Sequence, residues 1–245
     1  MAVLCCSIVG CTHHDTDYSL TLDDIAVGGS GTAGLSVAGR PVKGIAVYFH
    51  GADQNARFIR DSEKHRNVFD ALLRDGLAVV AADAHGNAFG NPESREDYRR
   101  LIAAARARYG IVPLFFIAES MGALAALALI SEDKQHDVKG MIGISPLMGL
   151  PPELRSVSFI KGPWHRDVPD AGDPLTWSPE AFAGRSFRLY ASQDDTVIPA
   201  DASATAFANR FGSVASVDVV PCTGGHAASA CYQGSGVAKW IDTLQ

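Results

Sequence analysis

A recurring order of short apolar runs separated by segments of helical spacing is what most restricts the fold open to this 245-residue chain. The continuous runs are Ile45–Phe49, Leu77–Ala82, Val112–Ala118 and Met141–Ile144. Phe187–Ala191 and Val214–Val220 are shorter or partly alternating. A strand that is apolar on both faces must be covered on both, and a parallel sheet between two helix layers does this. Between the runs, Val68, Phe69, Leu72 and Leu73 form one helical stripe, closed by Gly76 as a C-terminal cap. Tyr98, Leu101, Ile102 and Ala105 form a second stripe, and Ala204–Phe211 and Val237–Leu244 supply two more. Ala123–Ile130 is apolar nearly all round, which predicts a buried helix. Alternating strands and helices imply right-handed crossovers and an α/β fold with a mostly parallel sheet. Tyr18, Leu20, Leu22 and Ile25, then Leu35 and Val37, alternate with polar residues. They predict an antiparallel edge pair turning around Gly28-Gly29.

One stretch breaks this rhythm. Residues 146–184 hold most of the chain's prolines and no clear period, and they lie between two predicted strands. Long irregular segments inside compact domains usually cover or line a site. The expectation is one domain over 18–245, carrying 146–184 as a cap-like insertion before the next strand. Phe159, Trp164 and Trp177 of the insertion are candidates for an apolar substrate pocket, against the alternative that they pack the insertion onto the domain.

A net charge of −6 supplies no clustered cation surface for nucleic acid. No stretch approaches the roughly 20 apolar residues of a membrane span. Residues 1–17 read as a leader or tail. Ile8-Val9-Gly10-Cys11 resembles a lipobox, which would make Cys11 a lipid anchor on an exported protein. The leader lacks a basic n-region, however, because the first basic residue is Arg40. A ragged N-terminus on a cytoplasmic protein therefore stands as the other reading. His13, His14, Asp15 and Asp17 read as a polar tail rather than a metal site.

The chemistry is carried first by Ala118-Glu119-Ser120-Met121-Gly122, at the end of one apolar run and the start of the buried helix. Serine is a weak nucleophile unless its oxygen is exposed, oriented and beside a base. A sharp strand-to-helix turn provides the exposure, and only small residues fit two positions either side, as in G-x-S-x-G. Here Ala118 stands for the first glycine. Ser120 is the candidate nucleophile.

From about Lys43 onward the chain resembles the α/β-hydrolase family of serine esterases and lipases. His50-Gly51-Ala52 is similar to that family's oxyanion loop, so the resemblance implies that the backbone N–H groups of Ala52 and Met121 would hold an oxyanion. His50 and the turn Asp83-Ala84-His85-Gly86 then read as structural. The segment Asp194-Asp195-Thr196-Val197-Ile198-Pro199 is similar to the family's acid loop. Asp195 has the matching spacing, and Asp194, one residue earlier, is the alternative. His226 follows two glycines and the last strand, and the order Ser, Asp, His is that of the family. Cys222 and Cys231 bracket it, either as a disulfide holding the base loop or as two ordinary thiols.

These readings lead to an expected serine hydrolase that cleaves a small-molecule carboxylic ester through an acyl-enzyme. No metal, organic cofactor or protein partner is implied. A peptidase or amidase, an acyltransferase, and a binding protein that kept the fold are the alternatives.

Overall fold

The structure, a computed structural model, describes residues 20–23 and 31–245. The Gly28-Gly29 turn lies outside the described residues, as do Cys5, Cys6, the lipobox-like segment ending at Cys11, and His13, His14, Asp15 and Asp17.

The described strands are β1 (Leu20–Asp23), β2 (Thr32–Val37), β3 (Gly44–Phe49), β4 (Leu77–Ala82), β5 (Leu114–Glu119), β6 (Val138–Ile144), β7 (Ser186–Ser192) and β8 (Ser216–Cys222). They form one sheet in the order β1-β2-β4-β3-β5-β6-β7-β8. β2 pairs antiparallel with β1 and with β4, and every pairing from β4 to β8 is parallel. The antiparallel edge and the parallel body both match the patterning of the sequence. The helices are α1 (Phe58–Asp61), α2 (Glu63–Arg74), α3 (Pro92–Tyr109), α4 (Gly122–Glu132), α5 (Pro152–Arg155), α6 (Ser158–Lys161), α7 (Ala204–Phe211) and α8 (Gly234–Asp242). Among the described residues, no helix is long and apolar enough to cross a membrane.

Side chains alternate across the sheet with period two, so each central strand feeds two cores. Ile45, Val47 and Phe49 of β3 pack with Tyr98, Leu101 and Ala105 of α3, with α4, and with Phe207 and Phe211 of α7. Ala46 and Tyr48 turn the other way, onto Val68, Phe69, Leu72 and Leu73 of α2 and Val237 and Ile241 of α8. Each fully buried Phe or Leu of this kind stabilises the fold by about 1.5–3 kcal/mol relative to exposure. The cores therefore fix the helices to the sheet, and the strand ends carry the loops. Nine consecutive residues of α4, Gly122–Ile130, are buried, which is why its sequence is apolar all round. Asn91 caps α3 by accepting from the Ser94 N–H at 2.9 Å.

Between β6 and β7 the chain is not structureless. It folds into α5, α6 and four short 3-10 turns, at Gly162–Trp164, Asp170–Gly172, Pro174–Thr176 and Pro179–Phe182. Prolines open three of those turns and break any longer period. Arg155 clamps the segment onto itself. Its Nε donates to the Leu150 carbonyl at 2.6 Å, one Nη pairs with Asp170, and the other meets Asp173 at 2.6 Å. Buried Asp173 in turn accepts from the N–H groups of Leu150 and Leu175.

Candidate active site

Ser120 sits in the turn between β5 and α4 with φ +49°, a left-handed conformation that L-residues other than glycine rarely adopt. The surroundings hold it there. Its N–H donates to the Ile144 carbonyl at 3.2 Å, and its own carbonyl accepts from Leu147 N at 2.9 Å and Ala123 N at 3.2 Å. Gly122 is needed for a different reason from the one the motif suggests. A Cβ at position 122 would lie 2.2 Å from the Phe49 carbonyl oxygen, so only glycine lets the helix start pass the end of β3.

The loops after β7 and β8 bring two further side chains to this serine. His226 Nε2 lies 3.0 Å from Ser120 Oγ, and His226 Nδ1 lies 2.7 Å from Asp195 Oδ2. Asp195 is buried, and its other oxygen accepts from the N–H groups of Val197 and Ile198, both at 2.9 Å. The carboxylate is thus fixed before it meets the imidazole. Asp194 does not face the histidine; its Oδ2 lies 3.4 Å from the Gly224 N–H. The base loop is tied down at several points. Gly224 has φ +95°, and its carbonyl accepts from Ser192 Oγ at 2.6 Å. Ala227 N donates to Ser145 Oγ, and its carbonyl accepts from Lys64 Nζ. A disulfide joins Cys222 to Cys231 across the loop.

Met121 follows the serine at the start of α4, and Ala52, in the loop after β3, packs against the apolar cluster that contains Met121. Among the described residues, neither backbone N–H makes a hydrogen bond. His50 is buried, with Nδ1 2.7 Å from the Gly51 carbonyl and Nε2 2.9 Å from that of Asp83, so it braces the loop.

Beneath the elbow lies a polar network that the sequence reading missed. Glu119 points away from the serine, to the α2 side of the sheet. Its Oε2 lies 2.7 Å from His65 Nε2 and accepts from the Tyr48 hydroxyl at 2.9 Å; its Oε1 accepts from Gln54 Nε2 at 2.6 Å. Gln54 Oε1 accepts from the Gly51 N–H at 3.0 Å and lies 2.6 Å from the Tyr48 hydroxyl. Burial alone would raise the Glu119 pKa. The His65 hydrogen bond and charge, with Tyr232 and Lys64 close by, instead hold it at about 2. Burial, followed by the Glu119 charge, pushes the Tyr48 and Tyr232 phenols up. A sequence signal for this network existed. His65 occupies the helical stripe of Phe69 and Leu72, where an imidazole must be buried and therefore partnered.

The three aromatics of the insertion separate. Trp164 is buried with Phe89, Met121, Leu124, Leu147 and Leu150, next to the elbow, and its Nε1 donates to the Phe89 carbonyl at 3.1 Å. Phe159 is 52% exposed and rests edge-on against Phe89, with ring centroids 5.2 Å apart. Trp177 does not join them. It stacks on Phe182 at 5.8 Å in the core that holds Phe207 and Phe211, where an indole gains more contact than at an open mouth. Among the described residues, no group of three or more His, Cys, Asp or Glu is arranged to hold a metal ion.

Solved structures share this architecture. Esterase Pf2001 of Pyrococcus furiosus is 20% identical, with 97% of each chain covered and a TM-score of 0.69. Est1E of Butyrivibrio proteoclasticus is 14% identical over 91% of this chain and 98% of its own, at 0.67. TT1662 of Thermus thermophilus is 14% identical over 92% and 98%, at 0.65. No curated protein matches the sequence. The profile of the family described as serine aminopeptidase, S33, matches residues 40–169, more than half of the chain, from β3 through the elbow into the insertion. By that match and the sheet that carries it, the chain belongs to the serine aminopeptidase S33 family of α/β hydrolases.

Proposed function

We propose that this hydrolase cleaves carboxylic esters through an acyl-enzyme formed on Ser120. The observation that carries the reading is the unbroken line from Ser120 Oγ through His226 to Asp195, at 3.0 and 2.7 Å. Asp195 accepts from Nδ1–H, which leaves Nε2 as the acceptor for the serine proton. As Oγ bonds to the ester carbon, that proton passes to His226 and the carbonyl oxygen takes the negative charge. The N–H groups of Ala52 and Met121 receive it, each such donor being worth about 3 kcal/mol in the transition state. Collapse breaks the bond to the leaving alcohol, which takes its proton from His226. Water then repeats the sequence and releases the acid.

An ester is favoured by the apolar surface around Phe89, Trp164 and Phe159 beside the elbow, and by the esterase names of the structural neighbours. In this reading the domain runs over 18–245, and 146–184 serves as a cap that shapes the acyl pocket. A peptide substrate is the second reading, because the family description is that of an aminopeptidase. Turnover of p-nitrophenyl esters from acetate to palmitate, set beside amino-acid p-nitroanilides, separates the two. Ester turnover that vanishes in Ser120→Ala supports the proposal, and anilide turnover alone replaces it with the peptidase.

A further inference from the structure

The loop from His50 to Arg57 contains no regular helix or strand, yet it carries one of the two oxyanion donors proposed above. Backbone pairing cannot hold such a loop in register, so its position depends on side-chain bonds. His50 on the Gly51 carbonyl and Asn87 on the Asp53 N–H brace its flanks, both at 2.7 Å, and a third set of bonds runs to the nucleophile's own chain neighbour. Glu119 immediately precedes Ser120, and its carboxylate is immobilised by Tyr48 and His65. Its remaining oxygen takes Gln54 Nε2 at 2.6 Å, and Gln54 Oε1 takes the Gly51 N–H at 3.0 Å. Gly51 lies directly on this pair. A Cβ there would sit 3.1 Å from Glu119 Oε1 and 3.2 Å from Gln54 Nε2. The elbow and the oxyanion loop are therefore separated by one carboxylate and one carboxamide in series.

Resting on the reading of Ser120 as nucleophile, we infer that Gln54 and Glu119 are positioning residues that set the distance between the two halves of the oxyanion hole. Neither touches the substrate. Glu119 is fixed to the same backbone as Ser120 and Met121, and Gln54 transmits its position to Gly51 and so to the Ala52 N–H. Removing the carboxamide takes away the hold on the Gly51 N–H, so the Ala52 donor shifts within the limits left by His50 and Asn87 while Met121 stays in place. The effect falls on the charge-developing step and not on ground-state binding.

The test uses the full chain as wild type, Ser120→Ala and Gln54→Met, with p-nitrophenyl acetate, the matching thionoester and a thermal melt. Gln54 is only half-buried and methionine keeps its length, so the variant should fold; Gln54→Ala is the second variant if it does not. Sulfur accepts hydrogen bonds poorly, so the thionoester reaction draws little on the hole. The expected result is a kcat for the ester lower by about 10- to 100-fold, KM within about threefold, and a smaller ester-to-thionoester ratio. A kcat within about twofold of wild type, or equal losses on both substrates, overturns the positioning role and leaves Ser120 as nucleophile. Wild type without turnover, or Ser120→Ala as active as wild type, removes the underlying reading and the inference with it.

Discussion

Gly122 and Phe49 meet backbone to backbone: the Cα of the glycine lies over the Phe49 carbonyl, leaving no room for a Cβ. This contact joins the first turn of α4 to the end of β3, so the elbow and the loop that begins at His50 share one fixed point. Gly122→Ala has to move a main-chain segment, not a side-chain tip. We expect it to destabilise the fold by about 1–3 kcal/mol or more, seen as a lower urea midpoint. Ester turnover should fall in the fraction that remains folded.

The two aspartates after β7 differ in what they face. Asp195→Asn should lower kcat by about 10⁴-fold, because an amide cannot hold the imidazole in the same tautomer. Asp194→Asn, which keeps an oxygen near the Gly224 N–H, should leave kcat within about threefold. Steady-state kinetics on one p-nitrophenyl ester decides the assignment. Reversed losses would move the acid to Asp194.

Glu119 makes stability depend on pH. Its folded-state pKa, about 2, lies below the ordinary 4.5, so the stabilisation is fully present above about pH 4.5 and is lost as pH falls through about 2. Glu119→Gln should cost about 3 kcal/mol at pH 7. The gap between the two proteins should narrow steadily below pH 4.5. Urea unfolding of both at several pH values measures it, and a gap independent of pH would dissociate the stability from the charge.

The disulfide closes a loop of nine residues' separation around His226. Cys222→Ser with Cys231→Ser should lower stability by about 2–3 kcal/mol, since the unfolded chain regains the closure entropy. Turnover should drop with it, because the disulfide is the one covalent restraint on the His226 loop and the hydrogen bonds of Gly224 and Ala227 alone leave it broader. A calorimetric melt of the oxidised protein, the dithiothreitol-treated protein and the double variant gives the comparison.

Phe159 is the exposed member of the apolar cluster near the elbow, so it can be cut back at little cost to the core. Phe159→Ala should leave the melting temperature within about 2 °C and raise KM for long acyl chains several-fold more than for acetate. An equal KM for all chain lengths in the variant and wild type would take Phe159 out of the acyl pocket.

Much of the fold was legible because burial on both faces leaves a direct mark. Leu77–Ala82 is apolar at every position and is β4 at those very bounds, and Ala123–Ile130 lies inside α4. Ser120, Asp195 and His226 were legible as candidates for another reason: each follows its own strand in the order of the family the chain resembles, and the loops bring the three side chains within hydrogen-bonding distance. The Glu119 network was not. Its partners lie 54, 65 and 71 residues away, and only the sheet brings them together. The role of Trp177 was left open in the same way, between pocket and packing, and it packs onto the core. Its aromatic character was visible, but its neighbour Phe182 belongs to a core assembled from α7 and β7.

The Arg155 clamp has a consequence for how such proteins diversify. Arg155 ties α5 to Leu150 and to the turns at Asp170 and Asp173, while Trp164, Trp177 and Phe182 root the same segment in the apolar clusters of the domain. A lineage that replaces this segment must therefore rebuild those clusters along with the clamp, which ties variation between β6 and β7 to the helices beneath it.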